Sequence, residues 1–170
     1  MKHIYILFTI CLTYNLGYTQ MATAKEIAPN VSSKIKIKAR VDTVWEYLLE
    51  FEKLSEFGSG IVSKSTTKGI GLGALRDVVF KDGTKRSEEV ETVVPRFKKV
   101  GFKVLTPSKP FSRYYYSFQV NRANELECLV TLKSYYGLHN KKEKNQTKQK
   151  VEKELETLLK GLKKHFENQN

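Results

Sequence analysis

Residues 151–166 read VEKELETLLKGLKKHF, and the apolar side chains in this stretch recur at helical spacing. Successive apolar positions are separated by four, three, one, three and four residues, which aligns them along one side of a helix: Val151, Leu155, Leu158, Leu159, Leu162 and Phe166. Burial of six such side chains stabilises a fold by roughly 10 kcal/mol before the entropy of folding is subtracted. The helix therefore needs a large apolar surface to lie on.

Residues 31–40 have the alternating pattern of a strand that is buried on one face. Ile35, Ile37 and Ala39 lie on one side, and Lys34, Lys36, Lys38 and Arg40 lie on the other. A sheet with one solvated face is typically antiparallel, because parallel strands are usually covered on both faces. A stripe that binds nucleic acid and a plain solvated face both fit the four cations, and the solvated face is the commoner case.

Period-two alternation returns between residues 58 and 137, in short runs that turn residues separate. These runs are residues 73–81, 85–94, 98–106, 113–121 and 125–136. Lys81-Asp82-Gly83 is typical of a three-residue hairpin loop, because Gly83 can adopt the left-handed conformation of a bulged turn. The pattern predicts an antiparallel meander.

Between the first strand and the meander, the sequence predicts two short helices. Thr43 and Glu46 have the spacing of a capping box, so we expect the first helix to begin at Asp42 or Thr43. A second helical turn passes through Leu54 and Phe57 and ends at the glycines that follow.

The inward face of the meander is the only large apolar surface available to the C-terminal helix, which follows a lysine-rich linker over residues 139–150. We therefore expect an α+β fold in which a curved antiparallel sheet of about six or seven strands wraps around the helix. A sheet that curls around one helix leaves space beneath it. Pockets of this kind are mostly apolar with a few placed polar groups.

The first residues of the chain form a separate unit. Lys2 precedes an apolar run over residues 4–12, which is too short to span a bilayer as a helix. We expect residues 1–24 to be a signal peptide, cleaved after Thr19 or Ala24, and residues 25–170 to form one domain. The protein would then be exported, to a periplasm or out of the cell. If Met21 is the true start, it would be cytoplasmic.

The charge balance favours anionic partners. Lys and Arg number 30 against 18 Asp and Glu, which gives a net charge of +12. The lysines before and along the last helix fit a solvated surface, and they also fit an anionic membrane as a partner. A nucleic acid is a less favoured partner, because no aromatic residues interleave these cations. The sequence makes no prediction about oligomeric state.

Several motifs appear in an order that resembles a known group of proteins. They are Val44-Trp45 with Phe51 and Leu54, Gly71-Leu72-Gly73-Ala74-Leu75-Arg76, Asp82-Gly83, Glu88-Glu89-Val90-Glu91, and a proline-bearing loop with an aromatic strand over residues 110–120. In this order they resemble the START-like (SRPBCC) superfamily with the helix-grip fold, in its polyketide cyclase/dehydrase and lipid-transport branch. The resemblance covers about residues 31–168. It implies a hydrophobic cavity but no particular activity, because the superfamily mixes enzymes, carriers and receptors.

The candidate site follows from strand register and from this resemblance. A three-residue loop over residues 81–83 places Arg76 opposite Glu88. The resemblance implies that this pair anchors a ligand in the cavity, whereas the alternative is a solvent-facing pair of little consequence. Alternate residues of the later strands form the inner wall, and four of them are predicted to contact a ligand: Phe102, Tyr114, Tyr116 and Tyr136. A tyrosine suits such a wall because its ring packs while its hydroxyl finds a polar partner.

The predicted function is the binding or carriage of a small hydrophobic or amphipathic molecule of lipid, polyketide or aromatic type. The alternative is an enzyme of cyclase or dehydratase type that uses Glu88, Arg76 and cavity tyrosines without a metal. Binding is favoured because neither His139 nor His165 falls on the predicted wall. Cys128 lies in an alternating apolar run and is expected to fill the core. No metal and no cofactor is predicted.

Overall fold

The computed structural model describes residues 27–168. Its strands are β1 Val31–Ile37, β2 Val62–Lys68, β3 Leu75–Phe80, β4 Lys85–Val94, β5 Lys99–Val104, β6 Phe111–Arg122 and β7 Cys128–Leu138. Its helices are α1 Val41–Leu49, α2 Leu54–Phe57 and α3 Lys144–Glu167, with short 3₁₀ turns at Phe51–Lys53, Pro95–Phe97 and Lys141–Glu143. The two short helices therefore lie between β1 and β2, and the long helix follows β7.

The strands of the described residues form one seven-stranded antiparallel sheet in the spatial order β1-β7-β6-β5-β4-β3-β2. Consecutive strands from β2 to β7 are neighbours, while β1 pairs with β7 at the opposite edge. Register shifts in β2, β4 and β6 mark bulges, which bend strands locally. This sheet, with short helices after the first strand and a long C-terminal helix, is the helix-grip fold. The α+β prediction is confirmed.

The long helix α3 buries the stripe that the sequence predicts. Each of the six apolar side chains from Val151 to Phe166 is at most 8 % exposed, and the helix lies against β1, β7 and α2. It begins at Lys144, so the predicted linker over residues 139–150 is wrong in its second half. The Lys and Gln residues of this segment are good helix formers, and Thr147 is already buried.

The first short helix begins differently from the prediction. It starts at Val41, and no side chain caps it, so the expected capping box does not form. Asp42 instead binds Lys98, with Oδ1 and Nζ 2.6 Å apart. This lysine lowers the pKa of the Asp42 carboxyl by hydrogen bonding and by its charge.

Strand β2 has no counterpart among the predicted runs. Its residues are mostly polar, and only Val62 and Ser65 are buried, because β2 is an edge strand. At the other end of the sheet, the run predicted from residue 125 begins too early. Leu126 is 72 % exposed in the turn between β6 and β7, where its backbone N–H donates to Asn124 at 2.9 Å.

The hairpin between β3 and β4 has the predicted register, and it positions the candidate site. The backbone N–H of Phe80 donates to the Thr84 carbonyl at 2.8 Å, and Gly83 has a φ of 85°. Arg76 therefore pairs with Glu88 across the two strands. Alternate residues of β4 point to the same side of the sheet, so Glu88 shares its face with other even-numbered residues.

The predicted signal peptide, residues 1–24, lies outside the described residues and stays a prediction. Within residues 27–168, the helices are too short or too polar for a membrane crossing. Cys128 is buried, as expected, and burial raises the pKa of its thiol to about 11.

Candidate functional site

Arg76 and Glu88 form an ion pair in the interior of the protein. The Arg76 side chain is 3 % exposed and the Glu88 side chain is 0 % exposed. Arg76 donates from Nε and from Nη2 to the same oxygen, Glu88 Oε2, at 2.9 and 2.6 Å. The alternative of a solvent-facing pair is therefore wrong. Contact between this pair and a ligand stays a prediction.

Groups from three other segments surround this pair. Arg76 Nη1 donates to the Phe51 carbonyl at 3.2 Å, and Arg76 Nη2 donates to the Tyr116 hydroxyl at 2.6 Å. The Tyr116 hydroxyl lies 2.9 Å from both oxygens of Glu88 and donates to that carboxylate. The guanidinium also lies 3.8 Å from the ring centroid of Phe102, a favourable cation–π distance. Phe102 and Tyr116 thus lie on the inner face and contact the charged pair.

A second arginine, Arg86, joins the cluster and is absent from the predicted site residues. Arg86 Nε lies 2.7 Å from Glu88 Oε1, and Arg86 Nη1 donates to Glu154 Oε1 of α3 at 2.9 Å. The Arg86 guanidinium also lies 4.6 Å from the ring centroid of Phe80. Arg86 precedes Glu88 by two residues on β4, so the alternation that places Glu88 inside is the signal that could have identified Arg86.

The two arginines keep the Glu88 carboxyl ionised. Burial alone would raise the pKa of Glu88, but the charges of Arg76 and Arg86 and the hydrogen bonds to the carboxylate outweigh burial and lower it. For Arg86, burial favours the neutral form, yet Glu154 and Glu88 hold the pKa of the guanidinium well above its ordinary value. The cluster is therefore a set of fixed charges at neutral pH.

An opening reaches this cluster from solvent beside Arg86. It has a volume of ≈ 110 Å³ and is bordered by the β3–β4 hairpin, the β5–β6 loop and α3. Its lining residues are Phe80, Asp82, Thr84, Lys85, Arg86, Val104, Thr106, Pro107, Ser108, Phe111, Tyr114, Lys150 and Glu154. Pockets that hold drug-sized ligands have about 300–1,000 Å³, so this opening holds only a small group unless it widens.

Tyr114 and Tyr136 belong to an aromatic group at this end of the sheet. The Phe111 ring stacks on Tyr114 with centroids 4.8 Å apart, and it meets Tyr136 edge-on at 5.4 Å. Tyr114 lines the opening, whereas Tyr136 does not and contacts it through the Phe111 ring. Of the four predicted wall residues, Tyr114 is therefore the one that borders this opening.

The Tyr114 hydroxyl is a buried polar group without a well-formed hydrogen bond. The Tyr114 side chain is 4 % exposed, and neither its hydroxyl nor that of the nearby Ser134 makes a hydrogen bond of ordinary geometry. Burial raises the pKa of Tyr114, so the hydroxyl keeps its proton. A buried hydroxyl left in this state costs about 1–3 kcal/mol, and a bound molecule could supply the missing partner.

The turn over residues 69–73 does not border this opening. Its three glycines have φ values of 90°, 68° and 80°, a left-handed conformation that glycine adopts readily. It precedes β3, whereas the hairpin at the opening follows β3. The β5–β6 loop does border the opening.

A larger groove crosses the outer face of the sheet. It has a volume of ≈ 680 Å³ and is lined by Tyr115, Tyr135 and Lys103, and also by the predicted wall residues Tyr114 and Tyr136, but by none of the buried charges. Among residues 27–168, no group of three or more His, Cys, Asp or Glu side chains is placed to hold a metal ion.

Solved structures of similar fold include proteins from plants and bacteria. A major latex-like protein of Panax ginseng is 19% identical, and the match covers 80% of this chain and 95% of that chain with a TM-score of 0.69. A START superfamily protein from Mycobacterium smegmatis is 14% identical, with 82% and 98% coverage and a TM-score of 0.68. At these identities the likeness concerns the fold alone.

Norcoclaurine synthase from Thalictrum flavum, solved in complex with dopamine and hydroxybenzaldehyde, is another such structure. It is 15% identical, covers 82% of this chain and 87% of that chain, and has a TM-score of 0.65. No curated protein matches the chain at a significant level. The family model described as polyketide cyclase / dehydrase and lipid transport matches residues 28–167, nearly all of the described chain. The chain therefore belongs to the polyketide cyclase/dehydrase and lipid-transport family, within the START-like superfamily.

Proposed function

We propose that this protein binds and carries a small hydrophobic or amphipathic molecule, of lipid, polyketide or aromatic type, at the opening between the β3–β4 hairpin, the β5–β6 loop and α3. The family and the fold are compatible with hydrophobic ligands in a cavity. One observation carries the proposal: an opening walled partly by aromatic and aliphatic residues leads to the Arg86 guanidinium and to Tyr114, whose buried hydroxyl makes no well-formed hydrogen bond.

The walls of the opening suit an apolar group. Phe80, Val104 and Phe111 present aromatic or aliphatic surface there, and the Tyr114 ring continues it inward. Each CH₂ group that leaves water for such a surface contributes about 0.8 kcal/mol to binding. The few carbons that fit in the opening therefore gain some affinity from these residues.

A ligand larger than the present opening requires the β5–β6 loop to shift. Thr106 and Ser108 in this loop are exposed, and the loop joins two strands without forming a strand itself. Because few apolar contacts hold such a segment, it is the part of the wall that moves at least cost. Movement of Phe111, which is half-buried, would extend the space toward Tyr136.

Native mass spectrometry of protein purified from cells tests this proposal. We expect a bound molecule to add mass to the wild-type protein and to be lost or reduced in Phe111→Ala. Phe97→Ala is the matched control, because Phe97 is 57 % exposed in the turn between β4 and β5. An unliganded wild-type protein that also binds none of a panel of lipids and aromatic compounds would contradict the proposal.

A cyclase or dehydratase-type enzyme is the second candidate. Glu88, Arg76 and the Tyr116 hydroxyl form a buried carboxylate–guanidinium–phenol cluster that could polarise a carbonyl. The lowered pKa of Glu88 makes this carboxylate a weak base, which favours binding over proton abstraction. Turnover of a candidate substrate that is lost in Glu88→Gln, with binding of that substrate retained, would support the enzyme instead.

The position of the basic segment favours docking on an anionic membrane. Lys141, Lys142, Lys144 and Lys148 are exposed at the start of α3, and Lys150 of the same helix lines the opening. Each lysine near an anionic membrane surface contributes about 1 kcal/mol to binding. A docked protein would therefore present its opening to lipid.

Vesicle sedimentation measures this docking. We expect binding to vesicles with phosphatidylglycerol but not to pure phosphatidylcholine, and a loss of binding in Lys142→Glu/Lys148→Glu. Lys34→Glu/Lys38→Glu is the charge-matched control on the β1 side of the sheet. Equal losses in the two variants would indicate a general effect of net charge and contradict docking through α3.

A further inference from the structure

We infer that the ligand carries a single carboxylate, and that this group binds Arg86 in place of Glu154. The inference rests on the proposed function and names the class of ligand: a monocarboxylic acid with an apolar chain or ring. The observations that lead to it are the charge count of the buried cluster and the position of Glu154 between two openings.

The interior contains one more cation than anion before α3 contributes. Arg76 and Arg86 face a single interior carboxylate, that of Glu88. Glu88 Oε2 accepts two hydrogen bonds from Arg76, and the Tyr116 hydroxyl donates to the same carboxylate. Arg86 is close to Glu88 Oε1, yet its Nε–H makes no hydrogen bond of ordinary geometry. One positive charge and one donor therefore remain for another anion.

Glu154 supplies that anion from the edge of the cluster. Its contact with Arg86 is one hydrogen bond of 2.9 Å, and its side chain is 21 % exposed, against 0 % for Glu88. Glu154 also lines a second, neighbouring opening of ≈ 310 Å³ with Lys81, Lys150 and Lys153. A displaced Glu154 can therefore turn toward these lysines, so its charge stays compensated.

The charges around the opening suit a monovalent anion. Lys85 and Lys150 stand at the rim, while Asp82 accepts a hydrogen bond from the Thr84 backbone at 2.9 Å. A carboxylate has two oxygens that can accept two parallel hydrogen bonds from one guanidinium. Its single charge equals the surplus charge of the cluster once Glu154 is displaced. The opening of ≈ 110 Å³ has room for a carboxyl group and the first carbons of a chain.

The Tyr114 hydroxyl completes the site. Tyr114 lines the opening, and its buried hydroxyl makes no well-formed hydrogen bond, so this hydroxyl can donate to a carboxylate oxygen. The Arg86 guanidinium lies 5.6 Å from the Tyr114 ring centroid. A carboxylate held by Arg86 would therefore be close to the tyrosine.

The test compares decanoate with 1-decanol, two probes that share a ten-carbon chain and differ in the polar end. Their dissociation constants are measured on the wild-type protein, on Glu154→Gln and on Glu156→Gln. Glu156 is the matched control, because it is exposed on the same helix and pairs with Lys160 rather than with the cluster. Circular dichroism checks that each variant is folded.

We expect wild type to prefer decanoate over decanol by at least about tenfold. Glu154→Gln should increase the affinity for decanoate by a further factor of about ten, because the competing carboxylate is gone, and leave decanol unchanged. Decanoate should also raise the melting temperature of Glu154→Gln more than that of wild type, since it restores the missing charge. Glu156→Gln should behave as wild type.

Equal affinity of the two probes, unchanged by Glu154→Gln, would overturn the inference and leave the proposed function standing. A gain of decanol affinity equal to that of decanoate in Glu154→Gln would also overturn it, because the effect would then be steric. If neither probe binds and native mass spectrometry finds no bound molecule, both the inference and the proposed function fail.

Discussion

Arg76 is a cation held in the interior by its neighbours. Removing an ion from water costs several kcal/mol, and here Glu88, the Tyr116 hydroxyl and the Phe51 carbonyl offset that cost. Arg76→Met would leave these acceptors without their donor. We expect this change to lower the free energy of unfolding by about 3–5 kcal/mol, measured by urea denaturation.

Arg113→Met is the control for this change, because Arg113 is exposed on the outer face of β6. It should alter the unfolding free energy by less than about 0.5 kcal/mol. A loss below about 1 kcal/mol in Arg76→Met would mean that the buried network contributes little to stability.

Tyr114 and Tyr116 are expected to respond oppositely to loss of the hydroxyl. Tyr114→Phe removes a buried group that has no well-formed hydrogen bond, so stability should stay the same or rise while ligand affinity falls. Tyr116→Phe removes hydrogen bonds to Arg76 and Glu88 and should cost about 1.5–3 kcal/mol. Thermal unfolding and native mass spectrometry measure the two effects. A Tyr114→Phe variant that is less stable than wild type but keeps its full ligand affinity would contradict this prediction.

The sequence contained enough information for part of this site. The hairpin loop over residues 81–83 sets the pairing of Arg76 with Glu88, and alternation along β4 places Arg86 beside them. Glu154 could not be identified in the same way. It lies next to the apolar stripe of α3, and its contact with Arg86 depends on how the helix is rotated over the hairpin.

At the scale of the elements, α3 and α2 approach closely at Gly161. A Cβ atom on Gly161 would overlap the carbonyl oxygen of Phe57, which is backbone and has no room to move. Gly161→Ala should therefore lower the unfolding free energy by about 1–3 kcal/mol, although alanine favours helices by about 1 kcal/mol. Lys164→Ala, at an exposed position of the same helix, is the control. A Gly161→Ala variant that is more stable than wild type would show that helix propensity outweighs the contact.

Elements were predictable where burial dictates the residue pattern. The stripe from Val151 to Phe166 identified α3, and the alternation in residues 85–94 gave the bounds of β4. Strand β2 was not predictable in this way, because an edge strand pairs through its backbone and tolerates polar side chains. The capping box failed because the helix begins at Val41, ahead of Thr43, and Asp42 has another partner in Lys98, which lies far away in the sequence.

For the whole molecule, we expect the buried Glu88 carboxylate to cause a loss of stability in acid. The folded-state pKa of Glu88 lies below its ordinary value of 4.5, so ionised Glu88 stabilises the fold fully above about pH 4.5. This contribution is lost as the pH falls below that value toward the folded-state pKa. The unfolding free energy should therefore stay level from pH 7 to about pH 5 and then decrease.

Urea denaturation between pH 7 and pH 3 in about 0.5 M NaCl isolates this effect, because salt screens exposed pairs more than buried ones. Glu88→Gln should be less stable than wild type at pH 7 but should show a shallower decrease in acid. The same acid slope in both proteins would mean that other carboxylates control the transition.

The proposed function depends on one opening, which connects solvent to the charged cluster inside the sheet. A crystal structure of the protein with a retained or added ligand tests this most directly. We predict ligand density between Phe80, Phe111 and Tyr114, with its polar group against Arg86. Density only in the outer groove beside Tyr115 and Tyr135, or an unchanged opening at saturating ligand, would contradict the account.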